Sequence, residues 1–365
     1  MLDDDPERAA KVLSHVEKAN EIEIQLKTYN IYGEEAVREH SNIPEDDWEC
    51  YKKEVRASNN AKNPWFITHC HFKRRTEIDP CLLLKNMQDI IEDYKPEGVE
   101  IKRVPGGNYC LIIDPVDAHI GGMVHDNSET LQDQIDRYVA SVVYMLQKTE
   151  HILLDEIVYV LGNDLFHINA DKPETRKGTP QETIGIPHEV NREILKMCID
   201  VVYMLKQRCR KLHVMSVPGN HDFHNVCWLS LALTCKFSDD ENIIIDSGID
   251  ERKYYSFGCT AFVFAHKIMK RQDRLSVIMF QEMLDLGIIT DEIKYYEAHG
   301  GHFHVASQRD YPSATTNQMI TQRILGSLTG QQRYSKDAFG LKSREAHGLL
   351  YSRDSGIEQQ LIFRA

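Results

Sequence analysis

Nowhere does the sequence hold an apolar run approaching the ~18 residues that can cross a bilayer, so no membrane-spanning helix is expected. It has no Cys-x-x-Cys pair, and its nine cysteines are scattered and odd in number. That pattern excludes a disulfide framework and fits reduced thiols in an intracellular, cytoplasmic setting. Net positive charge is lacking too: 43 Lys and Arg against 56 Asp and Glu leave −13. A chain this acidic is not expected to hold nucleic acid or anionic membrane over its whole surface, although local basic paths remain open. The start, Met1-Leu2-Asp3-Asp4-Asp5-Pro6-Glu7, lacks the basic-then-apolar profile of a signal peptide. Repeats and low-complexity tracts are missing as well.

What is there is enough apolar residue (42%) to bury a sizeable core, which excludes disorder as the main state. Over 6–29, Ala10, Val12, Leu13, Val16, Ala19, Ile22 and Ile24 recur at roughly 3.6 spacing and predict a helix. A second helix is expected over 33–43 and a polar linker over 57–64. Residues 1–95 thus read as a small N-terminal helical module and linker, expected to dock or to engage a protein partner, with a helix-turn-helix as the alternative. From 96 to 365 short strands alternate with helices. Strands are expected at 99–104, 109–113, 157–161, 212–217, 242–246, 253–257, 259–265, 292–298, 319–325, 346–351 and 358–363. Helices are expected at 131–146, 187–210, 225–237 and 276–286. This is an α/β chain with two sheets between helices, and 306–365 either caps a site or completes a sheet.

The informative polar residues stand where apolar strands end. Asp117-Ala118-His119 follows 109–113, and Gly162-Asn163-Asp164-Leu165-Phe166-His167 follows 157–161. Gly219-Asn220-His221-Asp222 follows 212–217, His266 follows 259–265, and His299-Gly300-Gly301-His302-Phe303-His304 follows 292–298. In open α/β sheets ligands bind beyond the carboxyl ends of strands. Carboxylates, an amide oxygen and imidazoles together suit divalent metals such as Mn, Fe, Zn, Co or Ni. Two such ions about 3.5–4 Å apart clamp the attacking and leaving oxygens of a phosphoryl displacement.

In that order the motifs resemble the calcineurin-like metallophosphoesterase superfamily over residues 110–305. The resemblance implies a four-layer α/β/β/α sandwich with two divalent ions, Mn foremost. Carried over, Asp117, His119 and His304 are expected to ligate the first ion, Asn220, His266 and His302 the second, and Asp164 to bridge them. His221 is then the catalytic histidine beside the leaving oxygen, and the nucleophile a metal-activated hydroxide. Two departures stand out. Gly162-Asn163-Asp164 is one residue longer than the usual Gly-Asp, and His167 stands where protein phosphatases have Asp. The second disfavours phosphoprotein phosphatase activity. Asp164-Leu165-Phe166-His167 instead resembles the SbcD-type repair nuclease branch, with His167 as a second catalytic residue. Thr175-Arg176-Lys177-Gly178-Thr179-Pro180 and Ser327-Leu328-Thr329-Gly330 resemble phosphoesterases common in phage genomes, for which the compartment would be the host cytoplasm.

The function expected is hydrolysis of nucleic-acid phosphodiester bonds, DNA foremost. The alternative is a phosphoesterase for cyclic nucleotides or other small phosphoesters. Two basic runs are candidate phosphate contacts: Lys206, Arg208, Arg210 and Lys211, and nearer the motifs Lys267, Lys270, Arg271 and Arg274. Of these, Lys267, Lys270 and Arg271 are expected to bind substrate. His69-Cys70-His71 with Cys50 and Cys81 matches no familiar zinc-finger spacing. Self-association is compatible with the sequence; a membrane partner is not expected.

Overall fold

The computed structural model describes residues 11–18, 21–28, 34–43, 48–57, 66–74, 80–96, 104–124, 129–169, 174–179, 181–185, 187–268, 272–312, 319–329 and 344–365. The chain divides into two compact units, Met1–Leu82 and Leu83–Ala365.

The first unit corrects the helical expectation. It is an antiparallel sheet, ordered β1-β2-β4-β3, of β1 (Lys11–Lys18), β2 (Glu21–Thr28), β3 (Trp48–Ala57) and β4 (Phe66–Arg74), with the short helix α1 (Glu34–Ser41). The reason is a period of two inside the stretch taken for a helix. Ile22, Ile24 and Leu26 alternate with Glu23 and Gln25, and the three apolar side chains are buried with Ala36, Val37, Cys70 and Phe72. β-branched residues at that period favour a half-buried strand over a helix. Val12 and Val16, counted toward the helical face, are 43% and 51% exposed. Helix α2 (Pro80–Asp93) follows.

The second unit holds two sheets. The six-stranded one is ordered β15-β14-β5-β6-β7-β8, from β5 (Tyr109–Asp114), β6 (Leu154–Gly162), β7 (Cys209–Val217), β8 (Ile243–Asp246), β14 (Glu345–Ser352) and β15 (Gly356–Arg364). β5 to β8 run parallel, and β14 pairs antiparallel with β5. Between its strands run α3 (Leu131–Lys148), α4 (Pro187–Lys206) and α5 (Phe223–Lys236). The five-stranded sheet, ordered β12-β13-β11-β10-β9, comprises β9 (Arg252–Phe257), β10 (Thr260–Ala265), β11 (Tyr295–Gly300), β12 (Ser307–Pro312) and β13 (Met319–Ile324), with α6 (Gln272–Asp285). β10, β11 and β13 are parallel.

Alternation along the strands assigns the faces. Leu111, Ile113, Ile157, Tyr159, Leu161, Leu212 and Val214 pack with residues of α3, α4 and α5. Cys110, Ile112, Val158, Val160, Met215 and Val217 pack instead with Phe257, Phe262 and Phe264 of the other sheet. Strands buried on both faces read as the continuous apolar runs seen in the sequence. The C-terminal segment completes both sheets, β12 and β13 on one and β14 and β15 on the other. The expected strand over 99–104 lies mostly outside the described residues. The eight cysteines described are free thiols. Among the described residues no helix is long and apolar enough to cross a membrane.

Candidate metal centre

Because β5, β6 and β7 share one direction, and β10 and β11 another common one, their carboxyl ends can bring the motifs together. The loops leave the strands in an uncommon backbone. Asp117, His119, Asn163, Asp164, His302 and His304 all have positive φ, between 47° and 71°; Asn42 is the one other such non-glycine residue among those described. Left-handed backbone costs an L-residue about 1 kcal/mol or more, is tolerated best by Asn, Asp and His, and concentrates at functional sites.

The carboxylates are pinned alike. Asp117 Oδ2 accepts from the His302 amide (2.8 Å), and Asp164 Oδ1 from the His221 amide (2.8 Å). Their other oxygens face imidazoles. Asp117 Oδ1 lies 3.5 Å from His304 Nε2 and 3.9 Å from His119 Nε2, which are 3.4 Å from each other. Asp164 Oδ2 lies 3.1 Å from His266 Nε2 and 4.0 Å from His119 Nε2. His266 Nε2 is also 3.0 Å from both Asn220 Oδ1 and His302 Nδ1. Two donor sets result, with Asp164 Oδ2 reaching both. Close backbone approach makes room for them: a Cβ on Gly219 would lie 1.9 Å from Asp164 Oδ1, and one on Gly301 2.7 Å from Asp117 Oδ2.

This donor set fits cations. Donors around one ion with bonds of about 2.0–2.2 Å stand roughly 3 Å apart, close to the separations here. Asp117, Asp164, His119 and His266 are buried, while Asn220, His302 and His304 open toward solvent. Burial pulls the His266 imidazole down, but Asp164, then Asp117 and Asp222, outweigh it and raise it to about 9. The surroundings thus favour positive charge at that point. Burial, then the imidazoles of His221, His304 and His167, hold His119 well below its ordinary value. Burial, then His266, lower His302 to about 4. Both imidazoles therefore present lone pairs.

Around the donors stands a layer of which sequence reasoning placed only Asp222, as a support of its loop rather than a ligand. His266 Nδ1 donates to Asn163 Oδ1 (2.9 Å), and Asn163 Nδ2 donates to Asp114 Oδ1 (3.3 Å). An amide oxygen can only accept, so the His266 proton sits on Nδ1 and its Nε2 faces the donor cluster. The extra residue in Gly162-Asn163-Asp164 is therefore the group that orients His266. Ser327 Oγ and the Thr329 amide donate to Asp117 O (2.8 and 3.1 Å) and hold that loop from the far end of the chain. Asp222 accepts from the Gly219 and Leu165 amides (both 2.7 Å), tying two motifs together. Burial, then the charge of Asp164, push its carboxyl up to about 8.

His221 Nδ1 donates to the His167 carbonyl (2.8 Å), and the two rings stack at 5.5 Å. Burial, then His221, lower the His167 imidazole to about 3. The side chains of His119, His167 and His221 converge as well. Lys267, next to His266, is exposed, whereas Lys270 and Arg271 lie outside the described residues. The other basic run is placed elsewhere, at the amino end of β7. His299 does not join the donors; it is buried against Glu297 and Tyr351 (3.2 and 3.4 Å).

Fold and site together define a mixed α/β protein whose strand ends gather a His/Asp/Asn cluster able to hold metal. No protein-family model matches the chain, and no curated protein matches it in sequence. Among solved structures it is similar to a purple acid phosphatase isolated from yellow lupin (Lupinus luteus) seeds, at 8% identity and a TM-score of 0.31, over 94% of this chain and 72% of that one.

Proposed function

We propose that the protein is a dinuclear-metal phosphoesterase of the calcineurin-like layered kind, α/β/β/α, acting on phosphodiester bonds. The observation that carries this reading is the meeting of seven donors in two sets joined by Asp164 Oδ2. Asp117, His119 and His304 would hold one ion, Asn220, His266 and His302 the other, and Asp164 both. When bound, two divalent ions supply the positive charge that acidifies an attacking water and offsets charge growing on the phosphoryl oxygens.

The chain's own residues do the rest. His221 keeps its Nδ1 proton on the His167 carbonyl, so its Nε2 is the nitrogen that can give a proton to the leaving oxygen. His167, buried and low in basicity, serves as a positioning residue through that carbonyl and its stacked ring. Asn163 fixes the His266 ring against Asp114.

A nucleic-acid strand is the substrate class we favour. Its support is cationic: Lys267 is exposed beside His266. The test is hydrolysis by the Mn(II)-loaded protein of bis-p-nitrophenyl phosphate, single- and double-stranded DNA, and cyclic nucleotides. Cleavage of the chromogenic diester and of DNA is expected. Turnover of cyclic nucleotides without DNA cleavage would replace the substrate class, and no turnover of any ester by loaded protein would overturn the enzyme reading.

A further inference from the structure

We propose that the N-terminal unit carries a metal site of its own, in which Glu23, His69 and His71 hold one first-row divalent cation of the zinc type. The alternation that buries Cys70 and Phe72 sends His69 and His71 to the opposite face of β4. β2 pairs with β4 in a register that sets Glu23 directly opposite His71 and Gln25 opposite His69. The Glu23 carboxylate straddles the two rings: Oε1 is 2.7 Å from His69 Nε2 and Oε2 is 4.0 Å from His71 Nδ1. The ring centroids are 4.4 Å apart, and one donor atom from each residue falls within 4.8 Å of the other two. Such a triad leaves further coordination positions open to water or another ligand.

The chemistry selects the ion. Two imidazoles and one carboxylate favour Zn(II), Co(II) or Ni(II), whereas Mg(II) and Ca(II) take oxygen donors. Both histidines are about one-fifth exposed, so the site is screened without being sealed, and Glu23, at 44%, is free to swing toward a cation. The neighbouring charges come from β3, where Lys52 is opposite His71 and Glu54 opposite His69. These two pair with each other at 3.3 Å, so the Lys52 charge is met by Glu54. The cysteines beside the His-x-His motif are not the ligands: Cys70 faces the core, and Cys50 Sγ is turned to Lys52 O (3.5 Å).

The test uses the full chain, stripped of metal and then dialysed against Zn(II) or Co(II). Bound ions are counted by elemental analysis, and Co(II) absorption reports the ligand field. The variant Asp117→Asn/Asp164→Asn weakens the other centre, so what remains reports on the N-terminal unit. One ion per chain is expected to persist in that background and to be lost when His69→Ala and His71→Ala are added, with the circular dichroism spectrum retained. Should the double alanine variant fail to fold, Glu23→Gln keeps the shape of the side chain and is expected to lower affinity at least tenfold. Equal metal content and an unchanged Co(II) spectrum with and without these three side chains would overturn the proposal, whatever the first centre does.

Discussion

The two ends of the six-stranded sheet place charged groups in opposite ways. At the amino end, Asp155 is gripped by Arg210 (2.7 and 3.1 Å) and Arg353 (2.6 Å). Lys206 donates to Arg210 O, and Arg208 to the Leu146 and Thr149 carbonyls, each at 3.0 Å. Lys206, Arg208 and Arg210, three of the four residues that read as a candidate phosphate path, are therefore engaged in closing the ends of α3, α4 and β7. At the carboxyl end, the carboxylates face histidines, and the donors converge on shared points. A guanidinium fork saturates a carboxylate and asks for nothing more. Imidazoles beside carboxylates, with His119 and His302 held neutral among them, direct lone pairs at a place where a cation can stand. The first arrangement is structure, and the second is capacity for a ligand.

The sharpest way to break that contrast is His221→Ala. It is expected to lower kcat by about 10²–10⁴-fold with bound metal unchanged; full activity against bis-p-nitrophenyl phosphate would remove its role. Next comes acid. Burial pushes Glu297 upward, yet hydrogen bonds from buried His299 and Arg323 hold it at about 2, below its ordinary 4.5. A carboxyl lowered on folding stabilises the protein above pH 4.5, and that contribution is lost as pH falls through about 2. Urea titrations should show roughly 3 kcal/mol disappearing across that window, and much less in Glu297→Gln. Third, Asn163→Ala should weaken metal binding by about 10–100-fold, read by isothermal titration, because His266 loses its orienting partner. Unaltered affinity would demote the Asp114–Asn163–His266 chain to packing. The smallest effect belongs to the other rim: Arg210→Ala should cost about 1 kcal/mol of stability in urea and leave kcat alone.

How much of this was legible in sequence depends on whether the signal was local. Strands β5, β6, β7, β10 and β11 are followed by clusters of Gly, Asp, Asn and His that a local reading could find. The choice of seven donors among them came from the resemblance of their order to a known superfamily. Asn163 and Ser327 could not be given roles that way, because their partners lie 103 and 210 residues distant. The N-terminal unit failed for a different reason. Residues 11–28 satisfy both periods in part, and the choice is made by β4, whose Cys70 and Phe72 cover Ile22, Ile24 and Leu26. Nor does any spacing reveal Glu23, which joins His69 and His71 only through strand register.

The left-handed residues at the carboxyl-end rim have a consequence for anyone improving this protein. At Asp117, His119, Asn163, Asp164, His302 and His304, glycine would relieve the backbone by about 1 kcal/mol each. Glycine carries no donor atom. At Asp117, Asn163 and Asp164 that relief is offset by the hydrogen bonds their side chains accept. A selection for heat resistance alone would therefore drift toward glycine first at the more exposed His302 and His304, and the thermally hardiest descendants would have lost one donor from each set.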